Sequence, residues 1–211
     1  MSTPTSRYAA DVAHAGTRPY HHGNLRAALL EQAAEVVRRD GVAALSLREV
    51  ARAVGVSHAA PRRHFPDKQA LLDALAVEGF DRLGRELDGA LQAHAGAPFA
   101  ERVTAVARAY VGFAAPQAAL LDVMFAAKHR TPDAALRAAA SGAFAPVERI
   151  IAEGQAAGDL EPGDPEAFGT SLLAVLQGLL ALVNTGVVPP EQIDAAVADA
   201  TGRLLRGSRP G

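Results

Sequence analysis

Hydroxyl, imidazole and basic side chains are concentrated between residues 46 and 68 of this 211-residue chain. No acidic residue lies between Glu49 and Asp67, so nothing in that stretch repels an anion. Guanidinium, ammonium and hydroxyl groups donate hydrogen bonds to phosphate oxygens and to the edges of bases. The candidates, with one small residue among them, are Ser46, Arg48, Ser57, His58, Ala59, Arg62, Arg63, His64 and Lys68. The alternative is that they form the solvated surface of an ordinary helical hairpin.

The charge of the chain is divided between its two ends, although the net charge is only −2. Residues 18–68 contain nine Arg and Lys against five Asp and Glu, whereas residues 69–211 contain eleven against seventeen. A basic N-terminal region on an acidic body favours contact with nucleic acid at one end of the molecule.

Two short helices joined by a tight turn are predicted to present the candidate side chains. Ser46 and Glu49 have the spacing of a capping box at the start of the first of them. Gly55 then breaks the chain, and Ser57 is placed to begin the second. Residues 46–65 therefore have the pattern of a helix-turn-helix.

Glycine and proline divide the chain into helix-length pieces, and no run alternates with the two-residue period of strands. Hydrophobic residues make up 49% of the chain, which permits a large core, and the absence of cysteine excludes disulfides and thiolate chemistry. We predict an all-α fold of about nine helices, near residues 24–40, 47–54, 57–65, 68–95, 98–114, 116–128, 132–157, 165–186 and 190–206. Pro146 is predicted to kink or split its helix. Residues 1–17 and 207–211 are predicted to be disordered tails.

The sequence predicts a soluble cytoplasmic protein with no membrane segment. A bilayer span needs roughly 18 uninterrupted apolar residues, and the most apolar stretch, Leu172–Val183, is shorter and contains Gln177. The first 17 residues have no apolar run of the kind found in secretory signals.

From Gly23 to about Ala76, the sequence resembles the DNA-binding domain of the TetR family of bacterial regulators. The matching positions are Gly41, Leu45–Ala51, Gly55–Ser57, His64–Lys68 and Leu71–Leu72. The resemblance implies a DNA-binding domain over residues 18–66, with its motif at 46–65, and a ligand-sensing and dimerisation domain over residues 67–206. It implies a transcriptional regulator, by default a repressor. An enzyme is not expected, because the chain has no GxGxxG, Walker or HExxH motif.

The family positions and side-chain chemistry together predict roles on double-stranded operator DNA. Backbone phosphates are expected to be contacted by Ser46, Arg48, Arg62, Arg63, His64 and Lys68. The residues expected nearest the base edges are Ser57, His58 and Ala59. For Arg63, a guanine is an alternative partner.

One position departs from the family pattern. The family usually has tyrosine two residues before the His-Phe pair, and Arg62 stands there in this chain. Its guanidinium can also bind phosphate. Pro61 removes no helical hydrogen bond only if the predicted third helix begins at about His58, because proline is then in the first turn.

The segment Arg18–Gly23 is expected to follow the minor groove, as arms of other DNA-binding domains do. The neighbouring histidines His14, His21 and His22 raise the alternative of a metal site. No carboxylate or cysteine completes a ligand set with them, so neither a metal nor a cofactor is predicted.

The segments Tyr110–Phe113 and Leu121–Phe125 resemble the C-terminal domain of a TetR subgroup that has a Trp-x-x-x-His-Gly signature. Here only the glycine of that signature, Gly178, is present. The middle helices are predicted to form a pocket for a small apolar or amphipathic effector. Its candidate lining residues are Tyr110, Phe113, Gln117, Leu120, Met124, Phe125, His129, Phe144 and Phe168. The alternative is that these residues are core, in a ligand-independent regulator with a solidly packed body.

The predicted helices 165–186 and 190–206 are expected to form a homodimer interface. Residues 168–183 are apolar on nearly all sides and include small residues that allow close approach of helices. The alternative is burial of these helices within one subunit.

Overall fold

The computed structural model describes residues 25–130 and 133–208. Eight α-helices account for most of this part of the chain, which contains no strand. They are α1 (Leu25–Ala44), α2 (Leu47–Val54), α3 (Lys68–Ala93), α4 (Phe99–Ala114), α5 (Ala118–His129), α6 (Ala134–Ala157), α7 (Pro165–Asn184) and α8 (Ile193–Gly207). The predicted all-α fold is confirmed, and the helix predicted after Ser57 is replaced by turns and the short 3-10 helix Pro61–Arg63.

Local hydrogen bonds set most helix starts. Side-chain oxygens of Ser46, Asp67, Asp133 and Asp164 accept from backbone N–H groups in the first turns of α2, α3, α6 and α7. Such caps satisfy N–H groups that have no partner within the helix. The predicted bounds near these residues therefore agree with the structure to within a few positions.

Helix α3 is the central element of the core. Its buried side chains include Leu75, Phe80, Leu83 and Leu87, and α4, α5 and α6 pack around it. Helix α1 packs against both α3 and α5, so the N-terminal helices rest directly on the body. One cluster of buried apolar residues extends from Leu29 to Leu205. Buried residues on both sides of the predicted domain boundary at residues 66 and 67 therefore belong to the same core cluster.

Helix α6 continues through Pro146 as a single helix, without the predicted split. Proline within a helix removes the hydrogen bond to the carbonyl four residues earlier, and its ring crowds that carbonyl. That carbonyl belongs to Gly142, and its oxygen would lie 3.6 Å from a β-carbon added at Gly84 of α3. The long packed interface with α3 holds α6 together across the missing bond.

The predicted arm at residues 18–23 and the predicted tail at residues 1–17 lie outside the described residues. At the other end, α8 extends through Gly207, and the Ser208 carbonyl accepts a hydrogen bond from Glu161 N–H at 2.8 Å. Residues 207 and 208, which were predicted to belong to the C-terminal tail, are therefore part of the fold. Residues 209–211 lie outside the described part.

Candidate DNA-binding surface and ligand cavity

The turn after α2 is built around Gly55. This residue has φ 79° and ψ 27°, a left-handed conformation that favours glycine. The Val56 N–H then donates to the Ala51 carbonyl at 3.0 Å, which completes the turn. The Ser46 hydroxyl accepts from Glu49 N–H at 3.2 Å, which is one of the two bonds of the predicted capping box, while the Glu49 carboxylate lies 3.8 Å from the Arg52 guanidinium.

The segment after this turn is compact but is not an α-helix. Pro61 has no N–H to donate to the Ser57 carbonyl, which accepts instead from Ala60 at 3.0 Å. The backbone then tightens into the 3-10 helix Pro61–Arg63. Pro61 and Phe65 are buried and anchor the segment to the core.

Side chains between these anchors face solvent. The exposed residues are Ser57, His58, Ala59, Arg62, Arg63 and His64. In the described part of the chain, neither Arg62 nor Arg63 forms an ion pair or a side-chain hydrogen bond. Arg48 on α2 is also exposed, and Ser46 is half-buried at its cap position. The arrangement places two guanidinium groups and two imidazoles on one short segment, where they can contact a polyanion.

Lys68 has a partner that sequence reasoning missed. Its ammonium donates to the Val42 carbonyl at 2.8 Å and so links the start of α3 to the end of α1. Gly41, at φ 78° and ψ 171°, breaks the helical geometry just before Val42, whose carbonyl also accepts from Leu45 N–H at 3.2 Å. An ammonium has three donors, so this bond leaves Lys68 able to contact a phosphate as well.

A cation–π contact, also unpredicted, lies beneath the segment. The Arg26 guanidinium is 5.4 Å from the centre of the Phe65 ring. It joins α1 to the end of the exposed segment, next to His64.

A cavity of about 330 Å³ opens in the body between α3, α4, α6 and α7. Leu87, Val106, Leu172 and Leu176 give it a buried apolar floor. Its rim is exposed and polar, and includes Lys128, Ser141, Glu148, Glu166 and Thr170. This volume and composition are typical of small-molecule sites.

Two of the predicted ligand-binding residues, Tyr110 and Phe144, line this cavity. Tyr110 is 2% exposed, and its hydroxyl has no hydrogen-bond partner within the described residues. Burial raises the pKa of Tyr110, so the phenol remains a donor. The Phe144 ring lies 6.4 Å from that of Phe80 and 5.7 Å from the Lys128 ammonium.

The other candidates are not among the residues that line this cavity. Met124 is fully buried beside Gly79, Phe125 packs edge-on against Phe80 at 6.2 Å, and Phe168 is half-buried against the core. The side chain of His129 lies outside the described part of the structure.

The remaining three candidates lie on the side of the body that faces α1. Leu120 and Gln117 line a separate, open cleft of about 600 Å³ between α1, α3 and α5. Gln117 accepts a hydrogen bond from Arg82, whose guanidinium lies 5.0 Å from the Phe113 ring centre. These contacts fasten α3 to the segment between α4 and α5.

The structure thus combines helix α2, the turn at Gly55, a solvent-exposed basic segment and an all-helical body with a cavity. This arrangement corresponds to the helix-turn-helix class of DNA-binding proteins, with the second helix shortened to a 3-10 turn. A sequence model described as "Bacterial regulatory proteins, tetR family" matches residues 29–75, and one described as "Tetracyclin repressor-like, C-terminal domain" matches residues 103–204. The chain belongs to the TetR family and is a DNA-binding transcriptional regulator, not an enzyme.

Solved structures show the same architecture. A protein of unknown function from Rhodococcus sp. RHA1 is 39% identical, with a TM-score of 0.83, over 92% of this chain and 100% of its own. A bacterial regulatory protein in the tetR family from Rhodococcus RHA1 is 23% identical, with a TM-score of 0.67, over 88% of this chain and 97% of its own. The TetR family regulator PfmR from Thermus thermophilus is 21% identical, with a TM-score of 0.65, over 84% of this chain and 97% of its own. No curated protein sequence matches the chain.

Proposed function

We propose that this regulator is a homodimeric repressor that binds a palindromic operator and is released from it by a small apolar or amphipathic ligand. The observation that carries the proposal is the exposed segment 57–64, whose two arginines have no intramolecular partner in the described part of the chain. Phosphates would be contacted by Ser46, Arg48, Arg62, Arg63, His64 and Lys68, and base edges by Ser57, His58 and Ala59. Such a protein acts on DNA in the cytoplasm.

The dimer would form through α7 and α8. Helix α7 is long and apolar enough to cross a membrane, with a mean hydropathy of 1.7 over 18 residues. Only 17% of that window is buried within the chain, so most of this apolar surface is left for a partner to cover. The stretch Phe99–Lys128 passes the same test with a mean hydropathy of 1.3, and 44% of its window is buried. Along α7, small residues recur at helical spacing on the exposed side: Ala167, Ser171, Ala174, Gly178 and Ala181. A second copy of this helix pair would cover them in a two-fold four-helix interface.

Two such subunits would place their exposed segments in successive major grooves, about 34–36 Å apart or a multiple of this distance. A palindromic operator follows from the two-fold symmetry of the protein.

Helix α3 would transmit ligand binding to the DNA-binding end. Leu87 lines the cavity, and Lys68 holds the Val42 carbonyl at the other end of the same helix. These residues are separated by about 28 Å along a rigid helix. A ligand that favours a different tilt of α3 would change the separation of the two DNA-binding ends. Release needs only that the ligand bind the non-binding state better by a few kcal/mol.

The alternative is a regulator that needs no ligand and has a solidly packed body. The cavity of about 330 Å³ beside α3 favours the ligand-controlled form.

Selection of bound sites from random duplexes tests the DNA-binding part of the proposal. We expect two-fold symmetric sites, and we expect His58→Ala to change base preference more than overall affinity. His94→Ala is the matched control, since this exposed histidine lies at the far end of α3. Recovery of unrelated sequences, or the same preference in both variants, would contradict base reading by the exposed segment.

Transcription in vitro from a promoter that overlaps a selected site tests the sign of regulation. Repression predicts that transcript falls as protein is added. A rise in transcript would identify an activator instead.

A further inference from the structure

We propose that the cavity binds an uncharged, largely apolar molecule with one hydrogen-bond acceptor, a carbonyl or ether oxygen, that accepts from the Tyr110 hydroxyl. The inference rests on the proposed ligand-controlled function and specifies the chemistry of the ligand. Three features of the cavity carry it.

The first feature is the hydroxyl itself. Tyr110 is 2% exposed, lines the cavity and has no protein acceptor among the described residues. The hydroxyl oxygen is also shielded from solvent, so a ligand oxygen that reaches it from the cavity would supply a hydrogen bond that is otherwise unmade. Because burial raises the pKa of Tyr110, the group it presents is a neutral donor, which selects an acceptor.

The second feature is the apolar floor. Leu87, Val106, Ala140, Leu172 and Leu176 are all buried cavity-lining residues. An ionised group placed among them would lose its hydration without gaining a counter-charge, which is unfavourable. The acceptor that meets Tyr110 is therefore uncharged.

The third feature is the location of the charges that line the cavity. Lys128, Glu148 and Glu166 are all at the exposed rim, and the Lys128 ammonium lies 5.7 Å from the centre of the Phe144 ring. The rim carries both signs of charge, so it does not select an anion or a cation. Selectivity comes from the floor and from Tyr110.

Three probes of matched shape test the proposal: 4-phenylbutan-2-one, butylbenzene and 3-phenylpropanoate. They place a ketone, a methylene group or a carboxylate at the same end of the same skeleton. We expect the full-length protein to bind the ketone about tenfold more tightly than butylbenzene, and also more tightly than the carboxylate, by equilibrium dialysis. In Tyr110→Phe, the preference for the ketone over butylbenzene should disappear.

The variant also separates recognition from structure. Removal of an unpartnered buried hydroxyl should leave the thermal midpoint of the ligand-free protein unchanged or higher, so lost selectivity would not reflect poor folding. Lys128→Met tests the rim of the cavity, and because the ketone has no charge to pair with the ammonium, the affinity for the ketone should stay within about twofold.

Failure to bind any of the three probes overturns the proposal, as does a ketone preference that persists in Tyr110→Phe. A carboxylate that binds most tightly and loses affinity in Lys128→Met also overturns it, in favour of an anionic ligand. DNA release is measured separately with a selected operator duplex. If the protein prefers the ketone through Tyr110 but the ketone does not release the DNA, the ligand class is supported and only the proposed release mechanism is overturned.

Discussion

Arg62 and Lys68 differ in whether their charged groups already have a hydrogen-bond partner within the protein, and this affects how each can contact DNA. Arg62 is exposed and has no ion pair in the described part of the chain, so its charge is available to a phosphate. Lys68 already donates to the Val42 carbonyl and links two helices. Loss of Lys68 would therefore combine two effects, whereas loss of Arg62 reports on DNA contact alone.

Arg62→Ala should weaken binding to every duplex and reduce the slope of log K against log salt by about one, because one phosphate contact releases about one counterion. Fluorescence anisotropy of a labelled duplex at several salt concentrations measures both quantities. Arg85→Ala, which removes an exposed arginine from the body half of α3, is the control and should leave the slope unchanged. Equal slopes in all three proteins would show that Arg62 is not on the DNA-binding surface.

At the scale of elements, the contact between α3 and α6 holds the body together. A β-carbon added at Gly84 would lie 3.1 Å from the Ala143 Cα and 3.6 Å from the Gly142 carbonyl oxygen. Both are backbone atoms, so the helices could accommodate it only by moving apart. The same contact supports α6 where Pro146 removes a hydrogen bond.

Gly84→Ala should destabilise the protein by about 1–2 kcal/mol, since the cost of overpacking exceeds the gain in helix propensity. Gly89→Ala is the matched control on the same helix, because nothing lies within 4 Å of its added β-carbon. That variant should be stabilised by about 0.5–1 kcal/mol. Urea denaturation measures both changes, and a Gly84→Ala protein as stable as Gly89→Ala would show that α3 and α6 have room to separate.

For the molecule as a whole, the main feature is the uncovered apolar side of α7. Its exposed side carries small residues in a row, and Leu182 and Val187 near its end are 41% and 67% exposed. An apolar surface of this kind on a soluble protein marks an interaction site. The proposed homodimer would bury it and would also set the spacing of the two DNA-binding ends.

Ala174→Arg should convert the dimer to monomers, because a guanidinium at a close helix contact must either be buried without a partner or force the subunits apart. Sedimentation velocity distinguishes the two states. Ala100→Arg adds the same side chain at an exposed position of α4 and should leave the mass unchanged. A dimeric Ala174→Arg protein would place the interface elsewhere.

Features that depend on near neighbours in the chain were predictable from residue types and spacing. Ser46 and Asp67 cap their helices through bonds to residues three positions later, and Gly55 turns the chain through its own backbone freedom. These interactions are complete within a few residues, so spacing alone reveals them. The effect of Pro61 on the segment after Ser57 is also local, and its missing N–H was the available signal for the 3-10 turn that the sequence analysis did not predict.

Which apolar residues are core and which line the cavity depends on how the helices pack together. Tyr110 and Phe144 line it, whereas Met124 and Phe125, from the same set of candidates, pack into the core beside Gly79 and Phe80. The same packing gives Lys68 a partner 26 residues away in the chain. A cavity is space left between helices that are distant in sequence. Its position depends on how all of these helices pack together, so a local sequence pattern cannot predict it.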